Sequence, residues 1–383
     1  MVASPLHPRN RHRGGYDLAR LAAAFSPLQP HVIPGRPDSA NALTVDFSKP
    51  AAVSALNAAL LSVDYKILDF ELPEGQLTPA VPGRAEYLHL LADLLASEAD
   101  GQIIPRGTSV RGLDIGTGCS CVYPLIGHAE YGWSFLGSDV DNASLAAANA
   151  IVRANQYPIE LRLQTNGKRI LTRDLLRPNE QLAFTMCNPP FYKSAAEAEG
   201  ATARKWAGLQ RGKKSRGGKG GKGKGGRGGQ GASASSSVAT TRSFAGSESE
   251  LWTPGGEKAF VARHIRESAQ MARAALWFTS LVSAESSLPK LRAELASSGA
   301  RCVVSEPNTD FAQKGLTRPP ISAHAVLTRC TPAHSSHAQE ELGTATGNKQ
   351  MRVLAWSYQS DAERRERIRE LAPGGGGDPS PNR

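Results

Sequence analysis

The sequence predicts an α/β fold built on a mostly parallel sheet, and three observations carry that prediction. Apolar, strand-like segments alternate with helical ones from Val110 to Cys187. The first of those strands runs straight into a glycine turn. The same alternation resumes from "GGEKAFVARHIRESAQM" to the C-terminal region. A chain of 383 residues, 40% hydrophobic, has room for one large domain or two ordinary ones with a sizeable core.

Taken in order, residues 1–45 are rich in Pro, Arg and His, with a short helix expected over Asp17–Phe25. Asp17 is its expected cap, and Leu18, Leu21, Ala22 and Phe25 share one face. "LTVDF" alternates like a strand. "KPAAVSALNAALLSVDY" reads as a helix, with Ser48 as cap and Pro50 in the first turn. A further helix is expected from about Arg84 to Ser97. Strands follow at "VRGLDIG", "SFLGSDVD", "IELRLQ" and "QLAFTMC", with an Ala-rich helix from Asn142 to about Asn155. Beyond the break near residues 196–250 come helix, strand ("ALWFTSLV"), helix ending at Gly299, strand ("ARCVVSEP") and a last strand, "MRVLAWSYQ". "DAERRERIRELA" is a charged helix before a Gly/Pro tail. The expected organisation is a basic module at 1–83, a main domain at 84–360 and a helix with tail at 361–383.

No stretch approaches 18 consecutive apolar residues, so no membrane span is expected. "MVASPLHPRNRHRGG" lacks the apolar core of a secretory signal. Five cysteines without C-x-x-C spacing argue for a reducing compartment and against a disulfide framework or a zinc site. "HSSH" (His334–His337) has metal-ligand types, but a lone pair in a polar loop reads as solvent-exposed. The net charge is +10, and eleven Lys/Arg with no acid fall between Gly200 and Ser247. Subtracting those eleven leaves the rest of the chain at −1. Twelve glycines between Gly208 and Gly231 give this insertion a disordered composition. A second basic cluster holds Arg9, Arg11, Arg13, Arg20 and Arg36. Two local basic segments on a near-neutral body point to a polyanion bound at particular places.

Three stretches suggest chemistry. In "LDIGTGCSC" a strand ends at Asp114, and Gly116 and Gly118 flank Thr117. Such a loop admits close backbone approach by a ligand, although tight turns use the same pattern. The spacing fits neither G-x-G-x-x-G nor a P-loop. Asp139 ends the next strand, where a carboxylate can accept both hydroxyls of a ribose or simply cap a helix. In "NPPF", Asn188 and the carbonyl of Pro189 offer two fixed acceptors. Pro189 and Pro190 lack N–H groups, and Phe191 supplies a ring face. The set can hold a planar amine, or it can be a proline-ended strand whose Asn caps a turn. Cys119 and Cys121 read as small packing residues.

"DIGTG" followed by "NPPF" resembles the class I, Rossmann-like, S-adenosylmethionine-dependent adenine-N6 methyltransferases. "HPRNRHR", "LTPAVPGRAEYLHLLADLL", "GLDIGTGCSCVYPLIG", "MCNPPFY", "TPGGEKAFVARHIRES" and "VLAWSY" occur in the order of the methyltransferase-like 16 family. That family comprises U6 spliceosomal RNA methyltransferases, with bacterial large-subunit rRNA adenine methyltransferases as relatives. The resemblance implies a mostly parallel seven-stranded sheet with a small N-terminal RNA-binding module. It implies S-adenosylmethionine as cofactor and structured RNA as partner, U6 small nuclear RNA first and rRNA as the alternative. By the same resemblance Arg84 contacts the cofactor carboxylate. Asp114, Gly116, Gly118 and Ser120 line its pocket, and Asp139 binds its ribose. Asn188, Pro189, Pro190 and Phe191 hold the adenine, and Arg9, Asn10, Arg11 and Arg13 grip RNA. A family threonine falls near Lys168, Arg169 or Ile170, where this chain departs from it. No metal is implied. The remaining expectations are a monomer or weak dimer and a nuclear, also cytoplasmic, location. Rival readings are a release-factor glutamine methyltransferase, which the basic segments disfavour, and a non-catalytic RNA-binding protein, which the intact motifs disfavour.

Overall fold

The structure is a computed structural model, and it describes residues 6–35, 42–74, 76, 78–197, 200, 252–308 and 351–371. The Gly/Lys/Arg insertion, the "HSSH" stretch and the C-terminal tail lie outside the described residues.

Seven strands form the main sheet. They are β3 (Arg111–Ile115), β4 (Ser134–Asp139), β5 (Ile159–Leu163), β6 (Leu182–Cys187), β7 (Ala275–Val282), β8 (Cys302–Asn308) and β9 (Met351–Ser357). Their order is β5-β4-β3-β6-β7-β9-β8. The first five run parallel, while β9 is inserted antiparallel to both neighbours. The sheet is therefore the mostly parallel, seven-stranded one expected. β1 (Val32–Pro34) and β2 (Leu43–Val45) form a separate antiparallel pair.

Both faces are covered, as a parallel sheet requires. Its central strands are the most buried: all eight residues of β7 and all six of β6 are buried. Neighbouring residues feed opposite clusters, Phe135 and Trp277 one, Leu136 and Phe278 the other. The first cluster takes in α1 (Leu18–Ala24), α2 (Pro50–Ala59), α3 (Val81–Ala96) and α4 (Val122–Tyr131). The second takes in α6 (Gly256–Ala269) and α7 (Leu288–Ser297). α5 (Asn142–Asn155) is capped by Asp141, whose carboxylate accepts from the N–H groups of Ala143 and Ser144.

Several expected boundaries shift. α3 begins at Val81, because Pro82 in the first turn needs no hydrogen bond there. The expected boundary between residues 83 and 84 therefore falls inside a helix. Leu18, Leu21 and Leu56 share one apolar cluster with the sheet, so the N-terminal segment packs into the main body. Ser48 is not the cap of α2. That position belongs to Lys49, and the Ser48 hydroxyl bonds Asp46 instead. The charged helix α8 (Asp361–Leu371) also docks on the body. Its Arg364 is 2% exposed, pairs with Glu98 at 2.7 Å and lies 4.8 Å from the Trp277 ring centroid. α4 has no counterpart in the sequence reading. Pro124 and Gly127 weaken its helical pattern, yet Gly127 is needed there, since an added Cβ would come within 2.5 Å of the Phe135 ring.

Candidate active site

Because β4, β3 and β6 are parallel neighbours, their carboxyl ends fall on one edge of the sheet. Ile115 pairs with Ser138 on one side and with Cys187 on the other. Asp139, the glycine loop and Asn188 follow directly, spread over about 10 Å by two strand spacings. Binding crevices in open α/β sheets lie beyond this edge.

The loop after β3 closes onto β4. The N–H groups of Gly116 and Thr117 both donate to the Ser138 carbonyl, at 2.8 and 2.9 Å. The Gly118 N–H donates to Asp139 Oδ2 at 2.9 Å. Gly116 and Gly118 take φ of 73° and 63°, a region costly for residues with a Cβ. A Cβ on Gly116 would meet nothing within 4 Å, so this position opens onto free space. Asp139 Oδ1 accepts from the Asp141 N–H at 3.0 Å. Burial raises the Asp139 carboxyl, with those backbone donors opposing the rise.

Beneath the loop, Asp114 is 1% exposed, and its Oδ2 has no hydrogen-bond partner. Burial pushes its carboxyl up to about 7, with the nearby Arg84 guanidinium opposing. Arg84 lies in the first turn of α3. It donates to the Tyr123 hydroxyl at 2.7 Å and sits 5.1 Å from that ring centroid. Its Nε is buried without a partner, and so is Thr117 Oγ1. Burial raises the Tyr123 phenol to about 12, so it remains neutral.

On the other side, β6 runs into Asn188, Pro189, Pro190 and Phe191. The Asn188 side-chain oxygen is buried and unpartnered. Phe191 is half-buried against the first apolar cluster. The next residue, Tyr192, bridges to Trp252, and its carbonyl accepts the Thr253 N–H at 3.0 Å. This docks the "TPGG" turn beside the motif. Gly256 is required there, since a Cβ would lie 2.9 Å from Lys193 Cγ.

Arg84, Asp114, Gly116, Gly118, Asp139 and Asn188–Phe191 thus come together at one edge. Ser120 lies in the same loop, partly exposed. The unpartnered atoms of Arg84, Asp114, Thr117 and Asn188 fit a ligand that carries a carboxylate, an amine and polar ring edges. S-adenosylmethionine has such groups. Thr117 and Tyr123 were not singled out by sequence. Thr117 was legible as the residue between two glycines, whereas Tyr123 needed α4.

The N-terminal arm is placed differently from expectation. Arg9 is turned inward and donates to Asp93 at 2.7 Å, the His89 carbonyl at 2.9 Å and the Tyr131 hydroxyl at 3.2 Å. Asn10 is 3% exposed and donates to Glu86 and the Pro82 carbonyl. Arg11 pairs with Glu130 at 2.6 Å. These three anchor the arm to α3 and α4, with Arg9 and Arg11 still partly exposed. Arg13 is exposed and, among the described residues, makes no ion pair. In the loop after β5, Ile170 and Leu171 are buried, and their N–H groups donate to Glu267 at 2.7 and 2.8 Å. The loop where a family threonine was expected is thus fixed through its main chain.

A family model described as "RNA methyltransferase" matches residues 1–319. The ribosomal RNA large subunit methyltransferase F of Ectopseudomonas mendocina (strain ymp) is 40% identical, over 94% of this chain and 90% of that protein. Its namesake from Pseudomonas putida is 39% identical, over 94% of each. Among solved structures, the hMettl16 catalytic domain in complex with a MAT2A 3′UTR hairpin covers 93% of this chain and 98% of its own. It shows 27% identity and a TM-score of 0.61. Its Rossmann-like fold and the glycine loop, acidic strand end and Asn-Pro-Pro-Phe edge agree with what the matched residues imply: the chain belongs to the family of RNA methyltransferases.

Proposed function

We propose that this RNA methyltransferase forms N6-methyladenosine in large-subunit ribosomal RNA, at an adenosine held out of its base stack. The observation that carries the reading is the buried, unpartnered Asn188 oxygen at the end of β6. A buried acceptor without a partner costs roughly 1–3 kcal/mol, which a bound amine offsets. The Pro189 carbonyl is the second acceptor, held by two fixed proline φ angles. Together they take both hydrogens of an exocyclic amine, and Phe191 offers a ring for stacking.

The cofactor is S-adenosylmethionine, which when bound supplies an electrophilic methyl group. Asp139 would hold its ribose hydroxyls, Arg84 its carboxylate, and the glycine loop its backbone side. The amine lone pair of adenine is delocalised into the ring. Hydrogen bonds from its N–H groups to Asn188 and Pro189 favour a more pyramidal, nucleophilic nitrogen. Catalysis is then positioning and electrostatics, with no strong general base among these residues. A base must leave its stack to reach such an edge.

The substrate choice rests on relatedness. The bacterial large-subunit enzymes are 39–40% identical across nearly the whole chain, against 27% for the hMettl16 domain. The U6 RNA expectation rested on the resemblance to the methyltransferase-like 16 family, whose solved domain is the less similar of the two. A nuclear location belongs to that weaker reading. Protein-free large-subunit rRNA, small-subunit rRNA and U6 RNA, each incubated with labelled cofactor and mapped by nucleotide, test the proposal. Label at one adenosine N6 of the large-subunit RNA is the expected result. Label on U6 RNA alone, or on a nucleotide other than adenosine, overturns it.

A further inference from the structure

We infer that Tyr87 and Thr279 are positioning residues that set the acceptor geometry of Asn188 by bridging the point where β6 and β7 part. The inference rests on the reading of Asn188 as amine acceptor.

The pairing of β6 with β7 runs from Leu182 only to Thr185, opposite Phe278. Past that point β7 pairs with β9 alone, Thr279 lying opposite Ala355. β6 continues beside β3 to Cys187. The last residues before Asn188 therefore lose one ladder partner, in a fully buried stretch of the strand. Side chains fill the role. The Thr279 hydroxyl donates to the Thr185 carbonyl at 2.7 Å. The Tyr87 hydroxyl lies 2.7 Å from Thr279 Oγ1, and the Cys187 N–H donates to it at 3.3 Å.

Proton counting fixes the direction of every bond. Thr279 has one hydroxyl hydrogen and gives it to a carbonyl, which can only accept. Tyr87 must then donate to Thr279, and its oxygen keeps lone pairs for the Cys187 N–H. All four residues of the relay are buried, Tyr87, Thr279 and Thr185 with no exposure. Burial holds the Tyr87 phenol well above its ordinary range, so the donor stays protonated. Tyr87 lies three residues beyond Arg84 on α3, and its ring meets Tyr123, the Arg84 partner, edge-on at 5.7 Å. The helix that carries the cofactor-side arginine thus also holds the strand end that carries the substrate-side asparagine. A shift of about 1 Å at such a position can cost 100-fold in rate.

Tyr87→Phe and Thr279→Val remove the hydroxyls with little change in volume, and Thr279→Ser keeps one. Each variant is assayed with labelled cofactor and large-subunit rRNA, beside cofactor Kd and hydrogen exchange of the 182–191 peptide. Expected are a 10- to 100-fold fall in kcat for Tyr87→Phe and Thr279→Val, and cofactor Kd within about twofold of parent. Exchange at the β6 end is faster in Tyr87→Phe, and Thr279→Ser keeps kcat within about threefold. Unchanged kcat in Tyr87→Phe overturns the inference, as does loss of cofactor binding in parallel with kcat. Asn188→Ala run alongside separates the two levels. If it stays active the acceptor reading fails; if it is dead while Tyr87→Phe is fully active, only the bridge fails.

Discussion

Two buried polar regions flank α3, and they differ in how completely they are satisfied. On the arm side, Glu86 accepts the His7 N–H through both oxygens at 3.0 Å and the Asn10 amide at 3.1 Å. Asp93 accepts from Arg9 and bonds the His7 ring. On the sheet-edge side, Arg84, Asp114, Thr117 and Asn188 each leave a buried polar atom unpaired. Residue type does not separate the regions, since both hold arginine, asparagine and carboxylates. Saturation does: the arm side leaves one such atom, His89 Nε2, against four at the sheet edge, so a nearly filled network anchors chain to chain and an open one has room for a ligand.

The largest expected effect breaks the unfilled side. Asn188→Ala should lower the rate of methyl transfer by 10³-fold or more, to the limit of detection, with a melting temperature near that of the parent. Labelled transfer beside calorimetry checks both halves. Loss of one arm partner should do the reverse. Glu86→Ala strands two buried donors, and at roughly 1–3 kcal/mol each it should destabilise by about 3 kcal/mol. Chemical denaturation reads this directly. An unaltered midpoint would remove the arm as an anchor.

Legibility in the sequence follows the same division. The strands, the glycine loop, Asp139 and "NPPF" were readable because local backbone demands wrote them: left-handed glycines, a strand-end acid, prolines without donors. The arm's anchoring was not readable because "HPRNRHR" shows charge but not partners. Glu86, Asp93 and Glu130 lie some 75–120 residues away, and only the packing of α3 against α4 brings them to Arg9, Asn10 and Arg11. Docking of α8 was hidden for the same reason, since Arg364 among seven charged neighbours gives no sign that it meets Glu98 and Trp277. Asn188 was readable as an acceptor, but the Tyr87–Thr279 relay behind it was not, being set by where two strands part.

A smaller effect sharpens the contrast through Asp139, the proposed ribose partner. Asp139→Asn keeps the shape and one acceptor but loses the charge that receives the Gly118 N–H. A 10- to 100-fold rise in cofactor Kd is expected, about 1.4–2.7 kcal/mol, with kcat at saturating cofactor within a few-fold of parent. Calorimetric titration and rate saturation separate the two.

The subtlest test uses pH, because the two regions respond with opposite sign. Asp114 titrates near 7 in the folded protein because burial disfavours its charge, against an ordinary value near 4. Its favourable contribution is present at low pH and is lost as pH rises from about 4 through 7. On the arm, burial lowers His12 to about 4 and His89 to about 3, although Asp64 opposes at His12 and Asp93 at His89. Arg11 and Arg20 reinforce burial at His12, as His7, Arg9 and Arg11 do at His89. Their contribution is present above about 6.5 and is lost as pH falls towards 4 and below. Ligand-free protein should therefore show opposing slopes that partly cancel between pH 4 and 6.5. Asp114→Asn removes one of them, leaving stability to rise more steeply with pH from 4 to 6.5 and to stay flat from 6.5 to 7.5. Melting temperatures across this range check it, and a variant whose profile overlays the parent would return Asp114 to an ordinary, water-accessible carboxylate.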